Sequence, residues 1–394
     1  MKARIISENI FWVGAVDWDR RLFDSLIPLP DGTSYNSYLV RGSEKVALVD
    51  TVDPSLTPVL LSRLEDLAVT TLDYVVANHA EQDHSGSLPD VVARFPMAKI
   101  VTTAKGKKML IDLLGLREDA FVTVEDGERL SLGDKTLQFI HTPWVHWPET
   151  MVTYLPEDRI LFSCDFFGSH LATSSLYIED TARLCEAAKA YYAQVMMPFR
   201  AAIRKNLEKL TPYTIDLIAP SHGPVHQDSA RILQCHRDWV SDALSNTVVL
   251  PYISMHGSTQ VMADYLADAL ANSGVQVQKF NLTVADTGRL AAALVDAATV
   301  VVGSPTVLAG AHPTVVSAVF LANALRPKLR FASIIGSYGW GGKMVEHITG
   351  TLSNLKVELL EPVLVQGHPK GEDFKALERL AQDIVSKHQE AGIL

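Results

Sequence analysis

Four side chains able to bind a metal fall within six positions at His79-Ala80-Glu81-Gln82-Asp83-His84. Two imidazoles and two carboxylates in such a run suit iron, manganese or zinc. The run follows Leu72-Asp73-Tyr74-Val75-Val76-Ala77, whose apolar, β-branched character predicts a buried strand, and precedes the turn Ser85-Gly86-Ser87-Leu88-Pro89. Side chains leaving a strand end in a tight loop can converge on one point, which a regular helix face does not offer at this spacing. An ordinary polar surface loop seldom follows a buried strand with these four residues in succession. Further ligand types recur at other predicted strand ends: His146 in Trp144-Val145-His146-Trp147-Pro148-Glu149, Asp165 after 160–163, and His222 after 215–219. Each can therefore face the same rim as His79.

A second group of residues has phosphate-binding character. Ser254-Met255-His256-Gly257-Ser258-Thr259 joins a predicted strand to a predicted helix. Backbone N–H groups at the helix start, with the hydroxyls of Ser254, Ser258 and Thr259, form a cradle for a terminal phosphate. A hydroxyl-rich loop alone is a weak signal. Two later loops strengthen it, at 304–310 (with Ser304, Pro305, Thr306 and Gly310) and at 337–342 (with Ser337, Tyr338, Gly339 and Trp340). Both follow strands, where open α/β sheets bind ligands. No G-x-G-x-x-G run occurs, which favours a mononucleotide over a nicotinamide dinucleotide.

The elements that must position these residues follow two grammars. Over 1–245, strand candidates at 11–16, 37–40, 46–50, 73–77, 99–102, 137–141, 150–155 and 159–163 alternate with turns. Helical segments are predicted at 55–69, 87–94, 105–114 and 180–209, suggesting two packed sheets covered by helices. Over 246–394, strands at 247–253, 275–280, 298–303, 330–336 and 357–365 alternate strictly with helices, as in a doubly wound parallel sheet.

A length of 394 residues accommodates two or three domains. With 47% hydrophobic and 20% charged residues, the chain can bury a large core. A formal charge of −10 argues against nucleic acid and anionic membrane as partners. The three cysteines, Cys164, Cys185 and Cys235, form no CxxC pair, which disfavours a disulfide framework or an iron–sulfur site. No run of about 18 apolar residues occurs, and the first residues lack a signal-peptide core, so a cytoplasmic protein is expected.

The order His-x-x-x-Asp-His, His, Asp, His resembles the metallo-β-lactamase fold with Glu81 in place of its second histidine. Followed by a flavodoxin-like domain, this pattern resembles the flavodiiron proteins (A-type flavoproteins) over nearly the whole chain. The resemblance implies an N-terminal αββα sandwich over 1–245 and a flavodoxin-like FMN domain over 246–394. It implies one iron on His79, Glu81 and His146, a second on Asp83, His84 and His222, and Asp165 bridging them. Replacing an imidazole by a carboxylate hardens the site and favours iron over zinc hydroxide. The resemblance further implies reduction of dioxygen to water, of nitric oxide to nitrous oxide, or both. FMN would relay electrons from a separate rubredoxin-like donor, expected because no Cys-rich segment follows Leu394. A head-to-tail homodimer or dimer of dimers is implied too, with Trp147 placed to contact the partner's flavin. A zinc-dependent hydrolase fused to a flavodoxin domain is the alternative. The family's His-x-Tyr element is replaced by Asp24-Ser25-Leu26. Of the other histidines, His226 and His141 read as structural, His170 as packing or a hydrogen-bonding neighbour of the site, and His236, His312, His347, His368 and His388 as surface or helix residues.

Overall fold

A computed structural model describes residues 1–394 as two compact units: 1–192 with 199–240, and 193–198 with 241–394. No helix is long and apolar enough to cross a membrane.

The first unit contains two large sheets. One runs in the order Arg4–Ser7, Ile10–Trp12, Tyr38–Arg41, Val46–Val49, Tyr74–Val76, Lys99–Thr102, Phe121–Thr123. The other runs Arg129–Ser131, Thr136–His141, Met151–Leu155, Ile160–Cys164, Leu217–Pro220. Strand alternation builds two cores from the first sheet. Tyr38, Val40, Val76 and Val101 point towards Phe139 and Phe162 of the second sheet. Leu39, Val75 and Ile100 point the other way, against Leu60, Leu64, Val91 and Leu110 of the covering helices Thr57–Asp66, Leu88–Arg94 and Ala104–Leu114.

Val46–Val49, Tyr74–Val76 and Lys99–Thr102 run parallel, as do Ile160–Cys164 and Leu217–Pro220. Their carboxyl ends carry Asp50, His79, Asp165 and His222.

Three expectations need correction. The strand at 11–16 stops at Trp12; Ala15–Asp17 then pairs separately with Thr33–Tyr35. Gly14 sits in the turn between them, where a Cβ would lie 2.4 Å from the Tyr35 carbonyl oxygen. The helix at 180–209 is two helices, Thr181–Tyr191 and Arg200–Leu210, separated by a π turn and a 3-10 turn. Pro198 lies in that break, where it lacks the amide proton a continuous helix needs. The strand at 357–365 is interrupted for the same reason at Pro362, leaving Glu358–Leu359 and Val363–Gln366.

In the second unit the main strands are parallel, in the order Gln276–Asn281, Ser245–Tyr252, Ala297–Val307, Phe331–Tyr338, with Glu358–Leu359 and Val363–Gln366 along the last, and the short Gly310–Ala311 folds back antiparallel on Ala297–Val307. Helices cover both faces: Ser258–Asn272 and Gly371–Glu390 share one core, Thr287–Leu294 and Pro313–Leu325 the other. The strand order reverses between Ser245–Tyr252 and Ala297–Val307, opening a crevice at their carboxyl ends.

Candidate metal centre and nucleotide cleft

All seven ligand candidates of the first unit meet at one place. His79 Nε2, Glu81, His146 and Asp165 form one group, and Asp83, His84 and His222 another. In the first, Glu81 Oε2 lies 3.1 Å from His79 Nε2 and 3.0 Å from His146 Nε2. Asp165 Oδ2 is 3.5 Å from both nitrogens. In the second, His222 Nε2 is 3.1 Å from Asp83 Oδ2, and His84 Nε2 is 3.3 Å from Asp83 Oδ1. The other oxygen of Asp165, Oδ1, lies 2.9 Å from His84 Nε2 and 3.5 Å from His222 Nε2. One carboxylate thus presents an oxygen to each group. His84, whose Nε2 faces Asp165 and Asp83, stands inside the second.

In the first group Glu81 joins His79 and His146 by hydrogen bonds, whereas most donor atoms of the second group face one another unpaired. Both oxygens of Asp83, Asp165 Oδ2, and Nε2 of His84 and His222 are buried with no hydrogen-bond partner. Their lone pairs converge on shared points instead of pairing. Buried carboxylates left unpaired are costly, and a cation at each point would satisfy all of them. The donor set of imidazole and carboxylate therefore fits two ions.

Electrostatics agree. Burial opposes an imidazolium at His79, yet hydrogen bonds to Glu149 and Glu81 and the charge of Asp165 raise its pKa to about 10. At His84 burial is overcome by the charges of Asp83 and Asp165, giving about 9. At His146 it is overcome by hydrogen bonds to Asp165 and Glu81, giving about 10. Asp165, though fully buried, is held well below the usual carboxylate range by His84 and His146. The carboxylates draw positive charge inward, the electrostatic character a cation site needs.

The residues that aim these ligands were not singled out from sequence. His79 Nδ1 donates to Glu149 Oε1 at 2.7 Å, which turns Nε2 towards the cluster; the same oxygen accepts from the Ala80 amide at 3.0 Å. His222 Nδ1 donates to the Ser34 carbonyl at 2.7 Å. Asp50 accepts from the Asn78 amide at 2.8 Å and its side chain at 2.9 Å, fixing the residue before His79. Tyr191 donates its hydroxyl to Asp165 Oδ1 at 2.8 Å. These partners lie 26 to 188 residues apart in the chain. The only local hint was a polar residue, Glu149, directly after Pro148.

His170 bonds Thr33 Oγ1 through Nδ1 at 2.9 Å, and its ring lies 5.0 Å from that of His222 and 4.8 Å from that of Tyr191. It borders the site, held neutral by burial and by His222. His226 Nε2 meets the Phe167 carbonyl at 2.8 Å, a structural role, and His141 Nε2 meets the Val124 carbonyl at 3.1 Å. His236 and His388 are helix residues, but both are buried. Trp147 packs edge-on against His79, with centroids 4.9 Å apart. Asp24 and Ser25 both adopt left-handed backbone, at φ 50° and 54°. Burial, then Glu81 and Asp83, raise the Asp24 carboxyl, so this residue lies within the field of the cluster.

In the second unit a cavity of about 310 Å³ opens at the strand ends, lined by Ser254, Met255, His256, Ser258, Pro305, Thr306, Ser337, Tyr338 and Gly339, with Gly367 and His368. The helix Ser258–Asn272 starts here behind Gly257, whose φ of +88° suits glycine and whose amide donates to Ser254 Oγ at 3.1 Å. Hydroxyls at a helix start fit a phosphate. Four expected residues are placed otherwise. Thr259 is buried, its hydroxyl 3.0 Å from Ser337 Oγ. Ser304 is buried and accepts from the His312 amide at 3.0 Å. Gly310 closes a hairpin against Val307, packed so tightly on His347 that a Cβ would lie 2.3 Å from Nδ1. Trp340 is 77% exposed and does not line the cavity.

Residues 33–223 match the family model described as ODP family beta lactamase, and residues 250–379 match flavodoxin. Over 97% of this chain and 98% of its own, the nitric oxide reductase of Moorella thermoacetica is 35% identical. The type A flavoprotein of Rhodobacter capsulatus is 33% identical over 94% of this chain and 88% of its own. The chain belongs to the flavodiiron protein family. Among solved members, rubredoxin oxygen:oxidoreductase of Desulfovibrio gigas superposes with a TM-score of 0.94 at 30% identity, covering 99% of both chains. The flavodiiron protein of Giardia intestinalis gives 0.91 at 29% identity, covering 98% of this chain and 96% of its own. A metallo-β-lactamase-like unit and a flavodoxin unit are thus joined in one flavodiiron chain.

Proposed function

We propose that this flavodiiron oxidoreductase reduces dioxygen to water, nitric oxide to nitrous oxide, or both, at two non-haem irons, with FMN relaying electrons. Dioxygen takes four electrons and four protons to give two waters; two nitric oxides take two electrons and two protons to give nitrous oxide and water. Relatives named nitric oxide reductase and rubredoxin oxygen:oxidoreductase support both substrates and a rubredoxin-like donor. The head-to-tail homodimer and cytoplasmic placement belong to the same reading.

His79, Glu81 and His146 would hold one iron, Asp83, His84 and His222 the other, and Asp165 would touch both. The observation that carries this reading is the division of Asp165, Oδ2 towards one group and Oδ1 towards the other. Bound together, iron and flavin supply the one- and two-electron steps that side chains cannot. The chain's own work is to aim and to protonate. Glu149 and Ser34 fix which nitrogen of His79 and His222 faces inward. Tyr191 keeps a proton on its phenol against Asp165. Burial, with the charges of Glu81 and Asp83, raises the Asp24 carboxyl above its ordinary value. In the second unit, Ser254 and Ser258 would hold the FMN phosphate, with Tyr338 and Thr306 on the cavity rim. A zinc hydrolase is not favoured, because it leaves Glu81 and the flavodoxin unit without a role.

The test is anaerobic reconstitution with ferrous salt and FMN, reduction, and mixing with each gas separately. Expected are two irons and one flavin per chain, with flavin reoxidation far faster than that of free FMN. Failure to take up iron, or reoxidation no faster than free flavin, overturns the reading.

A further inference from the structure

The sequence shows no CxxC pair, but the fold brings two cysteines together. Cys185 on the helix Thr181–Tyr191 and Cys235 on the helix Ser229–Val240 have sulfurs 3.1 Å apart. Both side chains are partly accessible, whereas Cys164 is fully buried. Cys185 also lines a cavity of about 320 Å³ with Arg231, Asp228, Glu179 and Thr181. Arg231 is held cationic by contact with Cys185 and by the nearby Cys235. Arg231 and Cys185 thus face the same cavity, in contact with each other. Cys235 is pushed up to about 12 by burial and by its bond to Cys185, so it stays a thiol. One sulfur is exposed to a cavity beside a fixed cation and the other waits behind it as a protonated partner.

We infer that Cys185 and Cys235 are a reversible dithiol–disulfide pair that reacts with a small hydroperoxide entering the cavity at Arg231. In the first step the Cys185 thiolate attacks the peroxide, the O–O bond breaks, and the sulfur becomes a sulfenic acid, while the departing hydroxide or alkoxide takes up the proton Cys185 had released and leaves as water or an alcohol. In the second, the Cys235 thiol displaces that hydroxyl, its proton leaving with it as water, and the S–S bond forms. Two thiols together lose two electrons and the peroxide gains them. Closing the bond needs the sulfurs only about 1 Å nearer, at the usual disulfide length of about 2 Å. The tether would join two helices that both lead to Asp165. The helix of Cys185 ends in Tyr191, which donates to Asp165. The neighbour of Cys235, His236, packs on Phe166 and Phe167, which follow Asp165.

The full chain, treated with a few equivalents of hydrogen peroxide and then denatured and alkylated, should show one alkylated cysteine instead of three. Tryptic digestion should yield the peptides 184–189 and 232–237 cross-linked, 2 Da lighter than their sum. Dithiothreitol should restore all three thiols, and C185S and C235S should each abolish the cross-link. The wild-type peptide map needs no variant to fold. Absence of that cross-linked pair overturns the inference; so does a disulfide between two chains, or an oxidised cysteine that dithiothreitol cannot reduce. Thiol counting does not depend on gas reduction, so its failure is distinct from failure of the proposed function.

Discussion

Glu149 offers the sharpest test of how the metal centre is built, because it touches a proposed ligand without being one. Its Oε1 takes the Nδ1–H of His79 at 2.7 Å and the Ala80 amide at 3.0 Å. Burial would raise this carboxyl, but the hydrogen bond and charge of His79, then the Ala80 amide, lower it, so it is ionised. Glu149→Gln can keep an oxygen at the same place and loses only the charge. Glu149→Ala loses both bonds and lets the imidazole turn. Removing a partner of this kind lowers metal affinity about 10- to 100-fold, roughly 1.4–2.7 kcal/mol. The structure orders the pair: about tenfold for glutamine, which retains the aim, and about a hundredfold for alanine. The loss should fall on one ion, since His79 belongs to one group and His84 and His222 to the other. Competitive ferrous titration against a chromophoric chelator at fixed pH should resolve one weakened site beside one of near-native affinity. Circular dichroism of the empty proteins controls for folding. Equal weakening of both sites, or alanine no worse than glutamine, would refute the argument that Glu149 acts by orienting His79.

Three further outcomes follow from the same structure. Metal must displace protons from His79, His84 and His146, whose pKa values in the empty cluster are about 10, 9 and 10; ferrous or zinc affinity should therefore tighten as pH rises from 6 to 8, and a flat profile would contradict this. His226 and His236 are buried and neutral, with pKa values lowered to about 4 and 3 against 6.5 in the unfolded chain. Below pH 6.5 the unfolded chain takes up protons that the fold refuses, so each histidine should cost about 1.4 kcal/mol of stability per pH unit down to its folded pKa. Urea denaturation at pH 6 and pH 5 should show a shallower loss in His226→Gln, and an unchanged slope would remove His226 from the account. Phe162, 1% exposed between the two sheets, should cost about 3–5 kcal/mol when changed to alanine; a loss below about 1 kcal/mol in denaturant titration would mean the inter-sheet core had been misplaced.

The ligand candidates of the first unit were legible because they cluster just beyond strand ends, and parallel strands deliver their carboxyl ends to one edge. Asp83 and His84, expected in a tight loop, sit instead in the short helix Gln82–Ser85, whereas Asp165 and His222 follow adjacent strands paired Phe162 to Ala219. The same logic located the second cleft but overcounted its lining. Hydroxyls at strand ends can turn inward as readily as outward, and Thr259 and Ser304 use theirs to tie the loops together. What sequence could not reveal is which distant residue aims a ligand. Glu149 reaches His79 across 70 positions and Ser34 reaches His222 across 188, and no spacing rule links either pair. Tyr191 was hidden for a different reason. It ends a helix that the apolar pattern extends straight through to 209, whereas the chain breaks its helix immediately afterwards at Tyr192–Met196. That break ends the helix on a residue whose hydroxyl meets the central carboxylate. Local periodicity thus gives the strands and the candidate ligands beyond their ends, while tertiary packing decides how those side chains are oriented.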